Sequence, residues 1–457
     1  MAKYQKYAEY QDSGVEWLGE IPKHWQSVPS RGVVEHIVEK NSDNVLSNYL
    51  SLMANIGVIR YEDKGDIGNK KPEDLSKCKI VRKGQLVINS MNYSIGSYGM
   101  SPYDGICSPV YIVLQSLSGI YLERFALRIF ENSFFQKYLS TFGNGILEHR
   151  AAINWDDIKG KYVPLPPLIE QENILNFLDY ETAQIDSLIA KQEKLIELLK
   201  AKRQAVISHA VTKGLNPNVP MKDSGVEWLG KVPEHWTVIK LKHLTTLFEQ
   251  GWSPQCDSRP AEPHEYGILK VGCVNGGKFR SLENKALPFE LEPRLQYLIQ
   301  KNDLLISRAN SKELVGSAAV IDEDYPNLIL CDKLYRLRFS KAVSAEMVAL
   351  YLSIGVVREQ IELSATGASH SMQNIGQDTI KELFYLLPPI DEAHNILSDI
   401  AESNTKFDSL ISKAELAIEL MKERRIALIS AAVTGKIDVR HWQHPNQKNE
   451  ADVELSA

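Results

Sequence analysis

The chain has 457 residues, more than the roughly 250–300 at which a single hydrophobic core stops growing. Apolar residues make up 44% of the chain and charged residues 24%, a balance that predicts folded units and not a disordered tail. The net charge of −6 at pH 7 excludes a histone-like basic protein but is compatible with local basic patches.

Five widely spaced cysteines, none of them in a C-x-x-C pair, predict neither a disulfide framework nor a zinc ribbon and fit a reducing cytoplasm. We expect no membrane span, because no run of about 18 apolar residues occurs and the first residues lack the apolar core of a signal peptide. The sequence also lacks a phosphate-binding G-x-x-x-x-G-K-[ST] loop and a His/Asp/Glu set at metal spacing. We therefore predict no catalytic residue and no metal site in this chain.

An internal duplication organises the chain. Residues 12–25 read DSGVEWLGEIPKHW and residues 223–236 read DSGVEWLGKVPEHW, with eleven of fourteen positions identical at an offset of 211. Residues 166–212 match residues 388–434 at 23 of 47 positions, at an offset of 222. This period is far longer than a solenoid repeat. The sequence therefore predicts two units of one fold, each with a repeated frame around its own insert.

In chain order, the duplication predicts seven segments. They are a frame segment at 1–25, a first insert at 26–165, a first long helix at 166–214, the repeated frame segment at 215–236, a second insert at 237–387, a second long helix at 388–435 and a tail at 436–457. The inserts combine short β-branched and aromatic runs with amphipathic stretches such as ERFALRIFENSFFQKYL. We therefore predict the α+β class for both inserts.

Each insert is followed by a long amphipathic helix. Between Ile174 and Ile207 apolar residues recur every three or four positions, with Glu and Lys between them. Pro166-Pro167 blocks a helix upstream, and Gly214 can end it, as Gly435 can in the second copy. A helix of about 42 residues with one apolar stripe needs a partner helix, and the duplicate supplies one in the same chain.

Local cations and polar loops indicate nucleic-acid binding even in an acidic protein. Residues 64–83 hold seven Lys/Arg against three acids, and residues 268–312 hold eight against four. Polar loops follow predicted strands at 89–93 (NSMNY) and 308–312 (RANSK), and second polar loops at 144–150 and 366–373 precede the Pro-Pro pairs. Ordinary turns and a solvated surface explain these features equally well, so the residues alone leave both interpretations open.

The order of frame, insert, Pro-Pro exit and long helix, present twice, resembles the specificity subunit of type I restriction-modification enzymes. The resemblance covers nearly the whole chain. It is carried by the two copies of DSGVEWLG-x-x-P-x-HW, by LPP-x-x-EQ at 165–171 with its looser copy LPP-x-x-E at 387–392, and by the helices LIELLKAKRQA and AIELMKERRIA. The second copy departs from the pattern at Ala393-His394, where the first half has Gln171-Glu172.

This resemblance implies two similar target-recognition domains joined by two long antiparallel helices, which form an intramolecular coiled coil with pseudo-twofold symmetry. It implies that each domain reads one half of an asymmetric, bipartite site in double-stranded DNA. Two methyltransferase subunits would dock on the helices, and a separate restriction subunit would translocate and cut DNA. The chain itself would do no chemistry and hold no cofactor. S-adenosylmethionine, ATP and Mg²⁺ are then expected in the partner subunits.

The loops and the resemblance together predict DNA contacts at Lys70, Lys71, Asn89, Ser90, Asn92, Tyr93, His149, Arg150, Arg308, Asn310, Ser311, Lys312, Ser369, His370 and Gln373. The long helices carry more apolar residues than one partner helix needs, which predicts partner contacts at Leu175, Phe177, Leu198, Ile207, Leu397 and Leu420. His24 and His235 recur beside a tryptophan and are predicted to be structural. The alternative function is a coiled-coil adaptor that links proteins without reading DNA.

Overall fold

The structure is a computed structural model that describes residues 4–67, 70–142, 152–369 and 372–445. Internal contacts divide the chain into two units. Unit 1 takes Met1–Glu193 and Glu415–Ala457, and unit 2 takes Lys194–Ala414. Each unit therefore contains one of the two inserts together with a piece of both long helices.

Unit 1 is built on short antiparallel strands. They are β1 (Tyr10–Asp12), β2 (Glu20–Pro22), β3 (Gln26–Pro29), β4 (Val34–Ile37), β5 (Leu50–Met53), β6 (Gly57–Arg60), β7 (Lys79–Val81), β8 (Leu86–Asn89), β9 (Tyr98–Met100), β10 (Gly105–Cys107), β11 (Tyr111–Ser116) and β12 (Tyr162–Leu165). The central sheet has the order β4-β11-β8-β9. Two-stranded pairs join β1 to β2, β3 to β12, β5 to β6 and β7 to β10.

Helices cover this sheet and continue into the first long helix. They are α1 (Glu123–Phe130), α2 (Ser133–Ser140), α3 (Trp155–Lys159) and α4 (Leu168–Lys213). The side chain of Asn132 accepts hydrogen bonds from the N–H groups of Phe134 and Phe135 and so starts α2. Asn154 and Asp157 form a capping box that starts α3.

Unit 2 repeats this plan with longer loops. Its strands are β13 (Met221–Asp223), β14 (Lys231–Pro233), β15 (Thr237–Lys240), β16 (Thr245–Gln250), β17 (Gly267–Leu269), β18 (Asn284–Ala286), β19 (Leu304–Ser307), β20 (Ala309–Asn310), β21 (Ala318–Val320), β22 (Leu328–Ile329), β23 (Leu334–Phe339), β24 (Thr366–Ser369), β25 (Met372–Asn374) and β26 (Phe384–Leu387). Its helices are α5 (Ala345–Ser353), α6 (Gly355–Leu363), α7 (Gln377–Lys381) and α8 (Ile390–Val433).

The two inserts share one fold, as the duplication predicts. The central sheet of unit 2 has the order β16-β23-β19-β21, which matches β4-β11-β8-β9 position for position. The similar segments KGQLVINS at 83–90 and KNDLLISR at 301–308 contain β8 and β19, which occupy the same place in the two sheets. Unit 2 adds the three-stranded sheets β18-β17-β22 and β20-β25-β24. The α+β class is therefore confirmed for both inserts.

The long helices begin and end where the sequence predicts. The first, α4, has 46 residues and the second, α8, has 44, and each starts after a Pro-Pro pair. Gly214 and Gly435 follow them with φ of +75° and +73°, the left-handed conformation that commonly ends a helix.

Ion pairs give the direction of the two long helices. Arg425 of α8 pairs with Asp186 of α4 in unit 1 at 3.0 Å, and Arg203 of α4 pairs with Asp408 of α8 in unit 2. From Asp186 to Arg203 is 17 residues forward along α4, whereas from Arg425 to Asp408 is 17 residues backward along α8. The helices are therefore antiparallel, as the resemblance implies.

Both long helices contribute to the hydrophobic core of each unit. In unit 1, Ile174 and Leu178 of α4 share a core with Ile429 and Ala432 of α8 and with α1. In unit 2, Val211 of α4 shares a core with Ile396 and Ile400 of α8 and with α5. Burial of these apolar side chains stabilises each unit.

The residues after α8 pack against the first frame segment in unit 1. The N–H of Asp438 donates to the carbonyl of Gln5 at 2.9 Å, and the hydroxyl of Tyr10 donates to the carbonyl of Gly435 at 3.1 Å. Lys436 also donates to the carbonyl of Glu20. Unit 1 is thus assembled from two separate parts of the chain.

Candidate nucleic-acid interface

In unit 2 the structure brings together the two polar loops that the sequence singles out. The short strand β20 lies in the loop at 308–312 and pairs with β25, which pairs in turn with β24. Asn310 lies opposite Gln373 in this sheet. The N–H of Ile375 donates to the carbonyl of Arg308 at 3.0 Å and holds the two loops together. We call the surface of β20, β24 and β25 the recognition sheet.

Arg308 immediately precedes β20 and is only partly exposed. Its Nη1 donates to the carbonyl of Asp332 at 3.4 Å, and its N–H donates to the carbonyl of Lys333 at 2.8 Å. Lys312 and Lys333 are exposed, and Ser311 is partly exposed. A planar guanidinium held at one edge still presents N–H groups that could reach a guanine or a phosphate.

A third loop contacts the recognition sheet. The sequence did not predict this loop as a DNA contact. The side-chain amide of Asn310 donates to Oδ1 of Asn275 at 3.1 Å. Asn275 is followed by Gly276 and Gly277, both at positive φ, and by the exposed Lys278. Asn275 lies inside the basic window at 268–312, so the local positive charge was the one sequence signal that pointed to this loop. Its hydrogen bond with Asn310 depends on tertiary structure and could not be predicted from that charge.

Unit 1 repeats the backbone contact that anchors the recognition sheet. The N–H of Ile153 donates to the carbonyl of Ser90 at 3.0 Å, at the place where Ile375 contacts Arg308 in unit 2.

The predicted contacts His149, Arg150 and His370 lie outside the described residues, as does the side chain of Ser369. Lys70 and Lys71 are exposed, and the N–H of Lys71 donates to the hydroxyl of Tyr61.

A small cavity of about 150 Å³ lies beside the loop at 89–93. It is lined in part by Asn89, Asn92, Ser51 and Lys64. Lys64 is mostly buried, and its Nζ donates to the carbonyl of Ile67 at 2.6 Å. Lys64 comes from the basic window at 64–83, and the structure places it next to the polar loop.

Two of the predicted contacts in unit 1 need correction. Tyr93 lies in the hydrophobic core, and its hydroxyl donates to the carbonyl of Phe130 at 2.6 Å. Burial raises the pKa of Tyr93 and leaves no path from its side chain to DNA. Asn89 is 4% exposed and its Oδ1 accepts from the N–H of Met91, so it lines the cavity and does not project from the surface. Asn92 is exposed and Ser90 is partly exposed.

The predicted partner contacts on the long helices divide into two groups. Leu198 and Leu420 are 55% and 56% exposed, and Leu397 is partly exposed. Leu175 and Phe177 are buried in the core of unit 1, and Ile207 is buried in the core of unit 2. The prediction is corrected for these three, because their apolar surface is already covered within their own units.

The frame histidines hold each repeated motif against a long helix. Nε2 of His24 lies 2.8 Å from Oε2 of Glu170, and Nε2 of His235 lies 2.7 Å from Oε2 of Glu392. In the first half Gln171 is buried, and its side chain bonds the backbone of Ile120, Leu122 and Pro166. Ala393 is the buried counterpart in unit 2 and has no side-chain group to form these hydrogen bonds.

Residues 4–67, 70–142, 152–369 and 372–445 contain no candidate metal cluster and no candidate membrane span. No group of three or more His, Cys, Asp or Glu residues there has the spacing to hold a metal ion. No helix in that part of the chain combines the length and the apolar character needed to cross a lipid bilayer.

Residues 22–198 match the family model described as the type I restriction modification DNA specificity domain. The specificity subunit of the type I restriction enzyme EcoEI from Escherichia coli is 28% identical over 243 residues, which cover 52% of this chain and 40% of that protein. This chain is similar to the type I restriction enzyme specificity subunits. The EcoKI specificity subunit of Escherichia coli K12 is 26% identical over 67% of this chain and 65% of that protein. The match thus spans less than half of the EcoEI subunit and about two thirds of the EcoKI subunit.

Other specificity subunits match over nearly their whole length. The putative type I restriction enzyme MjaX specificity subunit of Methanocaldococcus jannaschii is 23% identical over 93% of this chain and 96% of that protein. A chain from structural work on complex assembly and conformational transition of the type I R-M system has a TM-score of 0.65 at 15% identity, over 91% of this chain and 99% of that one. The HsdS subunit from Thermoanaerobacter tengcongensis has a TM-score of 0.52 at 16% identity, over 91% and 98%. These two solved structures establish the shared fold.

Proposed function

We propose that this chain is the DNA-specificity subunit of a type I restriction-modification complex. Each unit reads one half of an asymmetric, bipartite site in double-stranded DNA, and the long helices set the unread spacing between the halves. The observation that carries the proposal is the repeated anchoring of polar loops, by Ile375 on Arg308 in unit 2 and by Ile153 on Ser90 in unit 1. Polar side chains on fixed loops are suited to base readout, while surrounding cations set the register on phosphates.

The chain supplies recognition and does no chemistry in this proposal. Two methyltransferase subunits dock on the long helices, where Leu198 and Leu420 offer exposed apolar side chains. S-adenosylmethionine, ATP and Mg²⁺ act in the methyltransferase and restriction subunits, and the complex works in the cytoplasm. Each methyltransferase modifies an adenine in the half-site next to it.

Replacing Arg308 tests the proposal at one half-site. If Arg308 reads a base, Arg308→Ala relaxes sequence preference at one position of one half-site and weakens specific binding by roughly 1–3 kcal/mol. The measurement is salt-controlled binding of the partner-bound complex to a randomised DNA library. Lys341→Ala, which removes an exposed cation elsewhere in unit 2, is the matched control.

The same binding assay separates the alternatives. A uniform loss of affinity across all sequences would make Arg308 a phosphate contact and would leave base readout to the other loop residues. A wild-type complex with no sequence preference and no salt-dependent DNA binding would contradict the proposed function and would favour the adaptor.

A further inference from the structure

The cavity of about 150 Å³ beside the loop at 89–93 is a pocket with buried residues at its base. Asn89, Ser51, Ser97 and Lys64 line it and are all buried. Ile95 also lines it and is exposed, so the pocket opens to solvent on that side. A cavity of about this volume holds one six-membered ring, as benzene does in an engineered protein cavity. We call this cavity the unit 1 pocket.

Several hydrogen-bonding groups in the unit 1 pocket are not used within the protein. Oδ1 of Asn89 accepts from the N–H of Met91 at 3.1 Å, so Nδ2 is the part of this amide that can bind a ligand. Among the described residues, Nδ2 of Asn89 and the hydroxyls of Ser51 and Ser97 have no hydrogen-bond partner, and none of the three is a fully enclosed atom. Each of them is therefore accessible to a small solute.

Lys64 makes the unit 1 pocket positive, and no acid opposes it. Its Nζ donates to the carbonyl of Ile67 and lies 4.7 Å from the centroid of the Tyr61 ring, which leaves further N–H groups to donate. No Asp or Glu lines the pocket, and Lys64 forms no ion pair with any described residue. A ligand with carbonyl oxygens is therefore favoured over one with an amino group, for which Asp or Glu is the usual acceptor.

The remaining walls favour a flat ring over a phosphate. Leu52, Met53, Ala54 and Ile95 contribute apolar surface to the pocket. A phosphate would lose hydration against these side chains, whereas a ring would bury its faces on them. Apolar walls with a few convergent polar groups are the usual composition of a site for a small organic molecule.

The duplication shows that these groups belong to one half of the chain. Asn89 lies opposite Tyr111 in the sheet of unit 1, and Ser307 lies opposite Leu334 at the equivalent place in unit 2. The hydroxyl of Ser307 already donates to the carbonyl of Leu314 at 2.8 Å, and Leu334 is apolar. The shared fold therefore does not require the free amide of Asn89, which is specific to unit 1.

The unit 1 pocket opens beside the loop that the proposed function places at DNA, and Asn92 belongs to both. A base within the duplex cannot reach the buried Asn89, because its neighbours lie about 3.4 Å above and below it and cannot enter a pocket one ring wide. A base that is turned out of the stack can enter. Unpairing costs free energy, and hydrogen bonds inside the pocket would offset that cost.

We propose that the unit 1 pocket receives one thymine base turned out of the DNA stack, with Asn89 and Lys64 donating to its carbonyl oxygens. This inference rests on the proposed function and adds to it how unit 1 reads one position of its half-site. Thymine combines a single ring with two carbonyl oxygens. Cytosine presents an amino group, for which the pocket has no carboxylate, and a purine has a second ring.

Mispairs distinguish this mechanism from readout in a groove. Once methylation mapping has identified the target, each adenine paired with a thymine is replaced in turn by cytosine, so that the thymine stays but loses its partner. A mispair disrupts a base pair that is read in the groove, but it lowers the cost of turning a base out. We expect one thymine at which the mispair tightens binding of the assembled complex by about fivefold or more, measured by equilibrium binding at fixed salt.

Two variants show whether that thymine enters the unit 1 pocket. Asn89→Asp keeps the acceptor for the N–H of Met91 but removes the donor Nδ2, and Ala54→Phe fills the pocket from a partly exposed position. Both should abolish the gain in affinity at this thymine. Asn44→Asp adds the same charge as the first variant at an exposed residue of unit 1 and should keep the gain.

A second mispair shows that the variant complexes are folded and assembled. Replacing the thymine opposite a methylated adenine should also tighten binding, because methyltransferases turn out their target base. This gain does not involve the unit 1 pocket and should persist in Asn89→Asp and Ala54→Phe.

Three results would overturn the inference while leaving DNA recognition intact. They are the absence of any thymine at which a mispair tightens binding, a gain that persists in both pocket variants, and binding of free thymidine to the chain without an effect of any mispair. The last result would make the pocket a small-molecule site. A wild-type complex without sequence-specific DNA binding would instead contradict the proposed function, and the inference would fail with it.

Discussion

Glu170 is the residue that ties the first frame motif to α4. It is 4% exposed, its Oε1 accepts from the hydroxyl of Tyr7, and its Oε2 lies 2.8 Å from His24. Burial, assisted by the Glu170 carboxylate, raises the pKa of Tyr7. In unit 2, Glu392 bonds His235 in the same way and also accepts from Nε1 of Trp236 at 3.1 Å. A single carboxylate in each half therefore joins motif and helix.

Removing this carboxylate should destabilise unit 1. Glu170→Ala leaves the buried hydroxyl of Tyr7 without its acceptor, and we expect the free energy of unfolding to fall by about 1–3 kcal/mol. Urea denaturation followed by tryptophan fluorescence measures this change. Glu172→Ala, which alters an exposed glutamate two residues away, should have little effect. Equal losses in the two variants would show that Glu170 is not an anchor.

The cysteines provide a second prediction about single residues. Cys78, Cys107, Cys273 and Cys331 are buried, whereas Cys256 is partly exposed. Burial raises the pKa of Cys107 and of Cys331 to about 12, so at pH 8 almost none of either thiol is the reactive thiolate. We expect iodoacetamide to label Cys256 first in the folded chain, as read by peptide mass spectrometry. Labelling of Cys107 at the same rate would contradict this account.

At this scale the sequence predicted where the polar loops lie but not which side chains face outward. Asn92, Asn310 and Lys312 remain candidates for DNA contact, while Tyr93 points into the core. A run such as NSMNY follows a strand into a turn, and the direction of each side chain there depends on the sheet it joins. Asn275 was missed because its contact with Asn310 spans 35 residues of sequence.

Helix ends were the best predicted elements. Pro-Pro pairs and the glycines after the helices predict α4 and α8 because these residues act locally on the backbone. The recognition sheet was not predicted as a sheet. Its strands have two to four residues each, and β20 pairs with a strand far along the chain. Short strands of this kind have no periodicity from which pairing could be inferred.

Gly435 makes a testable contribution at the end of α8. Its φ is +73°, and a Cβ at this position would collide with Pro22 and come within 3.2 Å of Trp25. Gly435→Ala therefore combines backbone strain of about 1–3 kcal/mol with steric overlap, and we expect it to lower the free energy of unfolding by more than that strain alone.

Gly119→Ala is the matched control for the backbone term. Gly119 has a similar φ of +76° but open space where the Cβ would lie. The difference between the two variants in thermal or urea unfolding therefore reports the steric overlap at the junction of α8 with the first frame segment. Identical losses would mean that Pro22 moves aside without cost.

At the scale of the whole molecule, the proposed function implies that the length of the two long helices sets the length of the unread spacer. We call this the ruler. Inserting four residues near Lys191 in α4 and four near Lys413 in α8 lengthens the paired helices by about 6 Å. That length corresponds to roughly two base-pair steps of ~3.4 Å. We expect the unread spacer of the target to lengthen while both half-sites stay the same, as read by methylation mapping of a host that expresses the variant.

Two results would test the ruler from opposite sides. Altered half-sites with an unchanged spacer would contradict it. An insertion in α4 alone shifts its pairing with α8, so it should lower stability and should not produce a clean new spacer.

The sequence predicted two units, but it did not reveal that each unit takes part of both helices, because that division depends on the antiparallel register and not on any local signal.

The assembly of unit 1 from two distant parts of the chain also has a consequence during synthesis. Unit 2 is a continuous stretch, Lys194–Ala414, and can complete its contacts as soon as that stretch has left the ribosome. Unit 1 must wait, because the partners of Gln5 and Tyr10 are Asp438 and Gly435. A stop codon just after residue 414 would therefore leave unit 2 complete, although it is translated second. Unit 1, whose first part is translated earlier, would remain incomplete.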